Sequence, residues 1–117
     1  MINGIVTDDG VPITDVEVGG QRWLAIVDTG FNGDLELPKL LRLRVNAQYV
    51  GRVKSVLAAN KQVKERIYLV DFPFDGQNIQ ALASFVNSHE ILIGTGLLRE
   101  YQLRIDFPAR TVAIERA

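Results

Sequence analysis

The residues with the clearest chemical potential in this 117-residue sequence are Asp28, Thr29 and Gly30, which follow the apolar run Trp23-Leu24-Ala25-Ile26-Val27. In an extended strand Trp23, Ala25 and Val27 face one way and Leu24 and Ile26 the other, so both faces are apolar and the spacing predicts a strand covered on both sides. A carboxylate at the end of such a strand must be hydrogen-bonded, paired or protonated. Thr29 adds a hydroxyl. Gly30 lacks a Cβ, so backbone N–H groups can approach a carboxylate or a second chain. The same tripeptide also suits an Asx turn that merely ends a strand, and only the rest of the chain distinguishes the two readings.

Other chemistries find little support. The chain has no cysteine, which excludes a disulfide framework, a thiolate metal site and a cysteine nucleophile. The single histidine, His89, has only Glu90 near it at ligand spacing and reads as a solvated loop residue, so no metal or other cofactor is expected. Ser55, Ser84 and Ser88 lack the surroundings of a nucleophile elbow. Gly94 and Gly96 are not followed by the lysine of a phosphate-binding loop.

The elements that must position Asp28 are mostly β. Ile13–Val18 and Gln21–Val27 flank Gly19-Gly20, a pair suited to the positive φ angles of a tight hairpin. Pro38 suits the first turn of a short helix carrying Leu40, Leu41 and Leu43. Tyr49–Leu57 and Gln62–Asp71 form a longer hairpin around Ala58–Lys61. Phe72–Gln77 reads as a turn, Ile79–Val86 and Ile91–Ile93 as strands, Leu97–Tyr101 as one or two helical turns, and Gln102–Phe107 with Thr111–Glu115 as a closing hairpin. One internal echo stands out: Ile26-Val27-Asp28-Thr29-Gly30 is matched by Leu92-Ile93-Gly94-Thr95-Gly96. The length suits one domain, residues 1–117, able to bury about two-thirds of its unfolded surface.

With the strand before Asp28, the second apolar-apolar-Gly-Thr-Gly segment, Leu97-Leu98-Arg99-Glu100-Tyr101 and the Leu103–Phe107 strand, the sequence resembles the retropepsin-like aspartic proteases, in particular the small single-domain type, from about Pro12 to Glu115. The resemblance implies an all-β, closed acid-protease barrel with a flap hairpin and one short C-terminal helix. It also implies an aspartic endopeptidase in which Asp28 is catalytic. Because the chain holds one Asp-Thr-Gly and Gly94 occupies the matching place, the second carboxylate would come from another copy, giving a C2 homodimer acting on a peptide or protein substrate. In that picture Thr29 bonds across the axis, Gly30 donates its N–H to the carboxylates, and Leu57, Ala58, Ala59, Asn60 and Lys61 form the flap tip over the substrate. Where many viral members carry an acidic residue and an arginine, this chain has Asn32 and Thr95, so that ion pair is replaced by a neutral contact or by none. The alternative from another class is a non-catalytic dimerisation or peptide-binding module with the same fold.

Charge narrows the partners. Thirteen basic and fourteen acidic residues leave a net charge of -1, giving no global attraction to nucleic acid or to an acidic membrane. No apolar stretch approaches spanning length and no signal peptide is evident, so a cytoplasmic protein without a membrane or nucleic-acid partner is expected. The charge is nonetheless uneven. Lys39, Arg42, Arg44, Arg52, Lys54, Lys61, Lys64 and Arg66 face only Glu65 in their stretch, whereas Met1–Glu36 holds Arg22 against Asp8, Asp9, Asp15, Glu17, Asp28, Asp34 and Glu36. The basic stretch reads either as a solvated hairpin whose charges discourage edge pairing or as a flap that steers acidic partners.

Overall fold

Gly19 and Gly20 take φ of 59° and 80° and close the first hairpin, so that Pro12–Val18 (β2) pairs antiparallel with Gln21–Val27 (β3) from Val18↔Gln21 to Ile13↔Ile26. The structure is a computed structural model that describes residues 1–56, 59 and 62–117. β2 pairs on its other side with Ile2–Val6 (β1), a strand that the sequence pattern does not announce because Gly4 sits in its middle. The glycine is required there: a Cβ at Gly4 would lie 2.1 Å from the Ile13 carbonyl oxygen.

Leu35–Pro38 (β4) leads into a single 3-10 turn, Lys39–Leu41. Then come Ala47–Val56 (β5), Gln62–Phe74 (β6), Gln77–Val86 (β7), Ile91–Ile93 (β8), Tyr101–Asp106 (β9) and Thr111–Arg116 (β10). Instead of turning at Phe72, β6 runs on through Pro73 and turns at Asp75-Gly76, both at positive φ. Proline is tolerated because β5 stops pairing with β6 at Val70, which leaves the Pro73 nitrogen on an unpartnered side.

All ten strands form one sheet in the order β5-β6-β7-β4-β8-β3-β2-β1-β10-β9. The expected closed barrel is therefore corrected to an open sheet whose two end strands do not pair with each other. Closure fails because β5 belongs to a hairpin that stands clear: the β6–β7 register ends at Tyr68↔Ala83, and residues 62–67 pair only with β5. The expected C-terminal helix is also absent. Leu97, Leu98 and Tyr101 donate to carbonyls three residues back, and the Glu100 carbonyl accepts from Ala117 instead of continuing a helix. These are consecutive turns, too short to nucleate a helix in a chain already leaving to form β9.

The core lies on one face of this sheet, with Ala25, Leu35, Leu37, Leu41, Phe72, Ile91, Ile93 and Ile114 fully covered. β3 is covered on that face alone: Ala25 and Val27 are buried, while Leu24 is 39% exposed and Ile26 half-buried. The two-sided cover expected from its apolar pattern is thus not supplied within one chain. Accessible surface totals 7485 Å², against roughly 6,300 Å² expected for a folded monomer of this mass. Among the described residues no helix is long and apolar enough to cross a membrane.

Candidate active site

The internal echo of the sequence is a spatial pairing. β3 and β8 lie parallel with Ile26↔Leu92 and Val27↔Ile93 in register, so the two matching segments run side by side. The Asp28 N–H continues the ladder to the Ile93 carbonyl at 2.9 Å, after which the loops that follow lace together. Gly94 N–H donates to Asp34 O at 3.0 Å, Thr95 N–H to Phe31 O at 2.8 Å and Gly96 N–H to Gly33 O at 3.0 Å. Glycine is obligatory at the centre of this lacing, since a Cβ on Gly94 would meet Gly33 O at 2.1 Å and the Phe31 ring at 2.6 Å. No side chain, and so no second carboxylate, fits beside Asp28 at that position.

Asp28 itself is half-buried, and its Oδ1 accepts the Gly30 N–H at 2.9 Å. That bond is the Asx turn read from the sequence and also the donor expected to stabilise an ionised carboxylate. Among the described residues no other hydrogen bond reaches the Asp28 carboxylate, and the Thr29 hydroxyl makes none. Thr29 and Gly30 are exposed. Gly30 is not demanded by packing within the chain, because a Cβ there would approach only Asp28 Oδ1, at 3.3 Å.

Continuing the alternation of β3, Asp28 belongs to the open face of the sheet. A row of paired residues crosses that face: Ile5, Ile13, Ile26, Leu92, Glu36 and Ser84. Next to it a cavity of about 330 Å³ lies between the Phe31–Leu35 loop and the strands carrying Val53, Ile67 and Leu82. Val53 and Leu82 are 46% and 45% exposed. The arrangement is a groove with apolar walls and a charged rim of Asp34, Glu65 and Arg99, reached from the half-exposed Asp28 through the Phe31 loop and able to take an extended peptide across the end of β3.

Two acidic residues to which sequence reasoning gave no role, Asp34 and Glu36, bear on this face. Asp34 Oδ2 accepts the Leu82 N–H at 2.9 Å, tying the loop to β7, and its other oxygen lies 3.9 Å from the exposed Arg99. The Thr95 hydroxyl points to Phe31 O at 3.3 Å and not to Asn32, so the two residues that stand where viral members carry an ion pair do not bond to each other. Glu36 lies on this face too. Burial pushes its carboxyl above the ordinary value of 4.5, and the like charges of Glu65 and Asp28 push it further. The alternation Leu35-Glu36-Leu37, with both leucines fully buried, is the signal that places Glu36 on the opposite, open face.

A prediction follows from that raised value. An acid whose folded pKa is raised favours folding fully below its ordinary pKa and loses that contribution as pH rises through the folded value. Glu36→Gln should therefore match the wild type in Tm near about pH 4 and exceed it progressively toward about pH 7. Thermal melts of both proteins across that range test this, and a gap that stays constant with pH would refute it.

Of the expected flap residues, Ala59 is exposed with φ of 64°. Leu57, Ala58, Asn60 and Lys61 lie outside the described residues. His89 is exposed in the loop before β8, and among the described residues no group of three or more His, Cys, Asp or Glu is arranged to hold a metal ion.

No family model matches the chain. No curated protein matches it either. Solved structures do. A retropepsin-like aspartic protease from Rickettsia conorii superposes with a TM-score of 0.66 at 21% identity, covering 98% of this chain and 89% of that one. The foamy viral protease-reverse transcriptase, solved with an RNA/DNA hybrid, gives 0.60 at 17% identity over 79% of this chain, which spans 12% of that longer protein. The retroviral protease-like domain of Ddi1 from Leishmania major gives 0.52 at 17% identity, over 87% and 86% of the two chains. The chain has the retropepsin-like fold.

Proposed function

We propose that this chain, built on the retropepsin-like fold, is an aspartic endopeptidase whose catalytic unit is a C2 homodimer, with Asp28 and its counterpart from a second copy forming the dyad. The observation that carries the reading is the Asp28 carboxylate itself. It is half-exposed on the open face, held by Gly30 N–H on one oxygen, and close to a groove walled by Phe31, Val53, Ile67 and Leu82. Gly94 has no room for a side chain, so the second carboxylate must come from outside the chain. The free hydroxyl of Thr29 is available to bond across the axis.

In the dimer the two carboxyls share one proton. The ionised one takes a proton from water as the oxygen attacks the scissile carbonyl, and the protonated one polarises that carbonyl oxygen. Proton return to the amide nitrogen then releases the amine. The partly exposed Ile26 and Leu92, on the same face, form the floor on which the peptide lies.

The test is concentration dependence. Specific activity on a pooled peptide library should rise with protein concentration and level off as sedimentation shows the monomer converting to dimer. A monomer with full specific activity would overturn the reading. A dimer that binds peptides without cleaving them would favour the non-catalytic module.

A further inference from the structure

The basic stretch of the sequence is not spread over the surface. Cross-strand partners share a face of a sheet, and on the projecting hairpin Arg52 pairs with Arg66 and Lys54 with Lys64. Residues two apart in a strand also share a face, so all four cations lie on one side of the hairpin, the side that carries Tyr68. There Lys64 and Arg66 meet Lys39 and Arg42, from the 3-10 turn and its end, around a cavity of about 550 Å³. Four basic residues thus line the cavity, and Arg52 and Lys54, outside its lining, share the hairpin side of Lys64 and Arg66, which makes six of the chain's thirteen.

Three features separate this cluster from a merely solvated face. Like charges directly opposite each other on paired strands destabilise the pair, and here two successive rungs carry them. Among the described residues none of the six makes an ion pair. Arg42 is held in place, its guanidinium 4.7 Å from the centre of the Tyr68 ring and 5.5 Å from that of Phe85. Discouraging edge pairing explains charges on β5, the end strand, but not Lys39 and Arg42, which lie on no strand.

The cavity adjoins the groove near Asp28, since Ser84 and Glu65 line both. We propose that this cavity binds acidic side chains of the peptide substrate at positions beyond the residues flanking the scissile bond, so that the enzyme selects acid-flanked sequences. The inference rests on the peptidase reading for its substrate but not for its binding chemistry. On β6 Glu65 and Ile67 face the groove while Lys64 and Arg66 face the other side, so a peptide leaving the groove meets the cations where β6 parts from β7 beyond the Tyr68↔Ala83 pair, at Ser84 and Glu65. A nucleic acid fits less well: stacking needs open ring faces, whereas Arg42 covers Tyr68 and Phe85, and Tyr68 meets Tyr49 and Phe85 edge-on.

The test uses the full chain and fluorescein-labelled peptides with one apolar core, flanked by four glutamates or by four glutamines, with oligothymidylate as a third probe. At low salt the glutamate peptide should be cleaved about tenfold faster in kcat/KM than the glutamine peptide, the margin shrinking as salt rises. In Lys54→Gln/Lys64→Gln/Arg66→Gln that ratio should fall to about one, and the charge-reversed Lys54→Glu/Lys64→Glu should prefer a lysine-flanked peptide. Removing opposed like charges relieves repulsion, so the glutamine variant should melt no lower than the wild type. Equal rates on both peptides in the wild type would overturn the proposal. So would tighter anisotropy binding of oligothymidylate than of the glutamate peptide to the Asp28→Asn protein. Binding of the glutamate peptide that depends on the three cations, with no peptide cleaved by the wild type, would uphold the acidic-peptide site while removing the peptidase reading.

Discussion

Replacing Asp28 with Asn is expected to abolish peptide hydrolysis, lowering kcat/KM by at least about 10³-fold, because the substitution removes the carboxylate proposed to take a proton from water. Asn keeps the size of the side chain and an acceptor oxygen for the Gly30 N–H, which Asp28 Oδ1 now accepts at 2.9 Å. The Asx turn, the fold and the dimer should therefore persist, and the dimer should be no weaker, since two like charges no longer face each other. Mixing supplies the sharper measurement. When variant and wild type exchange freely in equal amounts, only about a quarter of C2 dimers carry two aspartates, and activity at fixed total protein should fall to that fraction. Activity falling only to half would mean that each chain works with its own Asp28. Undiminished cleavage by the purified variant would remove Asp28 from the chemistry altogether.

Gly94→Ala is expected to destabilise the protein strongly, by about 3 kcal/mol. The new methyl would lie 2.1 Å from Gly33 O and 2.7 Å from Phe31 O. Both are backbone atoms of the loop that the Gly94, Thr95 and Gly96 N–H groups hold in place, so relief requires pulling the two loops apart and breaking bonds that position Asp28. Tm should drop by roughly 10–15 °C, with activity lost in parallel. Gly30→Ala provides the contrast. Its Cβ would approach only the Asp28 carboxylate oxygen, at 3.3 Å, so stability should change by less than about 1 kcal/mol. A Gly94→Ala protein melting within a few degrees of the Gly30→Ala protein would show that the lacing of the two loops does not hold the site together.

Much of this architecture is legible in the residue order because it depends on short-range chemistry. Gly19-Gly20 specifies a tight turn whatever surrounds it, and β2 and β3 end where that turn requires. The echo between residues 26–30 and 92–96 is the pairing register of β3 with β8, because two parallel strands that end together and enter adjacent loops meet the same local demands. Asp28 at the end of β3 and its bond to Gly30 N–H follow from the tripeptide alone.

What only the tertiary structure decides is which groups share a face and what covers it. Period-two alternation assigns side chains to two sides of a strand but does not say which side meets another layer, so β3 reads as covered on both faces although one lies open with Asp28 on it. Closure of the sheet is equally invisible in the sequence. It depends on whether β5 and β9, 45 residues apart at the nearest described ends, come within hydrogen-bonding reach, and the projecting hairpin keeps β5 away. Gly4 hides β1 from propensity because the reason for the glycine, the Ile13 carbonyl, belongs to another strand. The basic residues between 39 and 66 are a mere composition in the sequence. Four of them line a cavity only because the strand puts Lys64 and Arg66 on one side of the hairpin and the 3-10 turn brings Lys39 and Arg42 to that side.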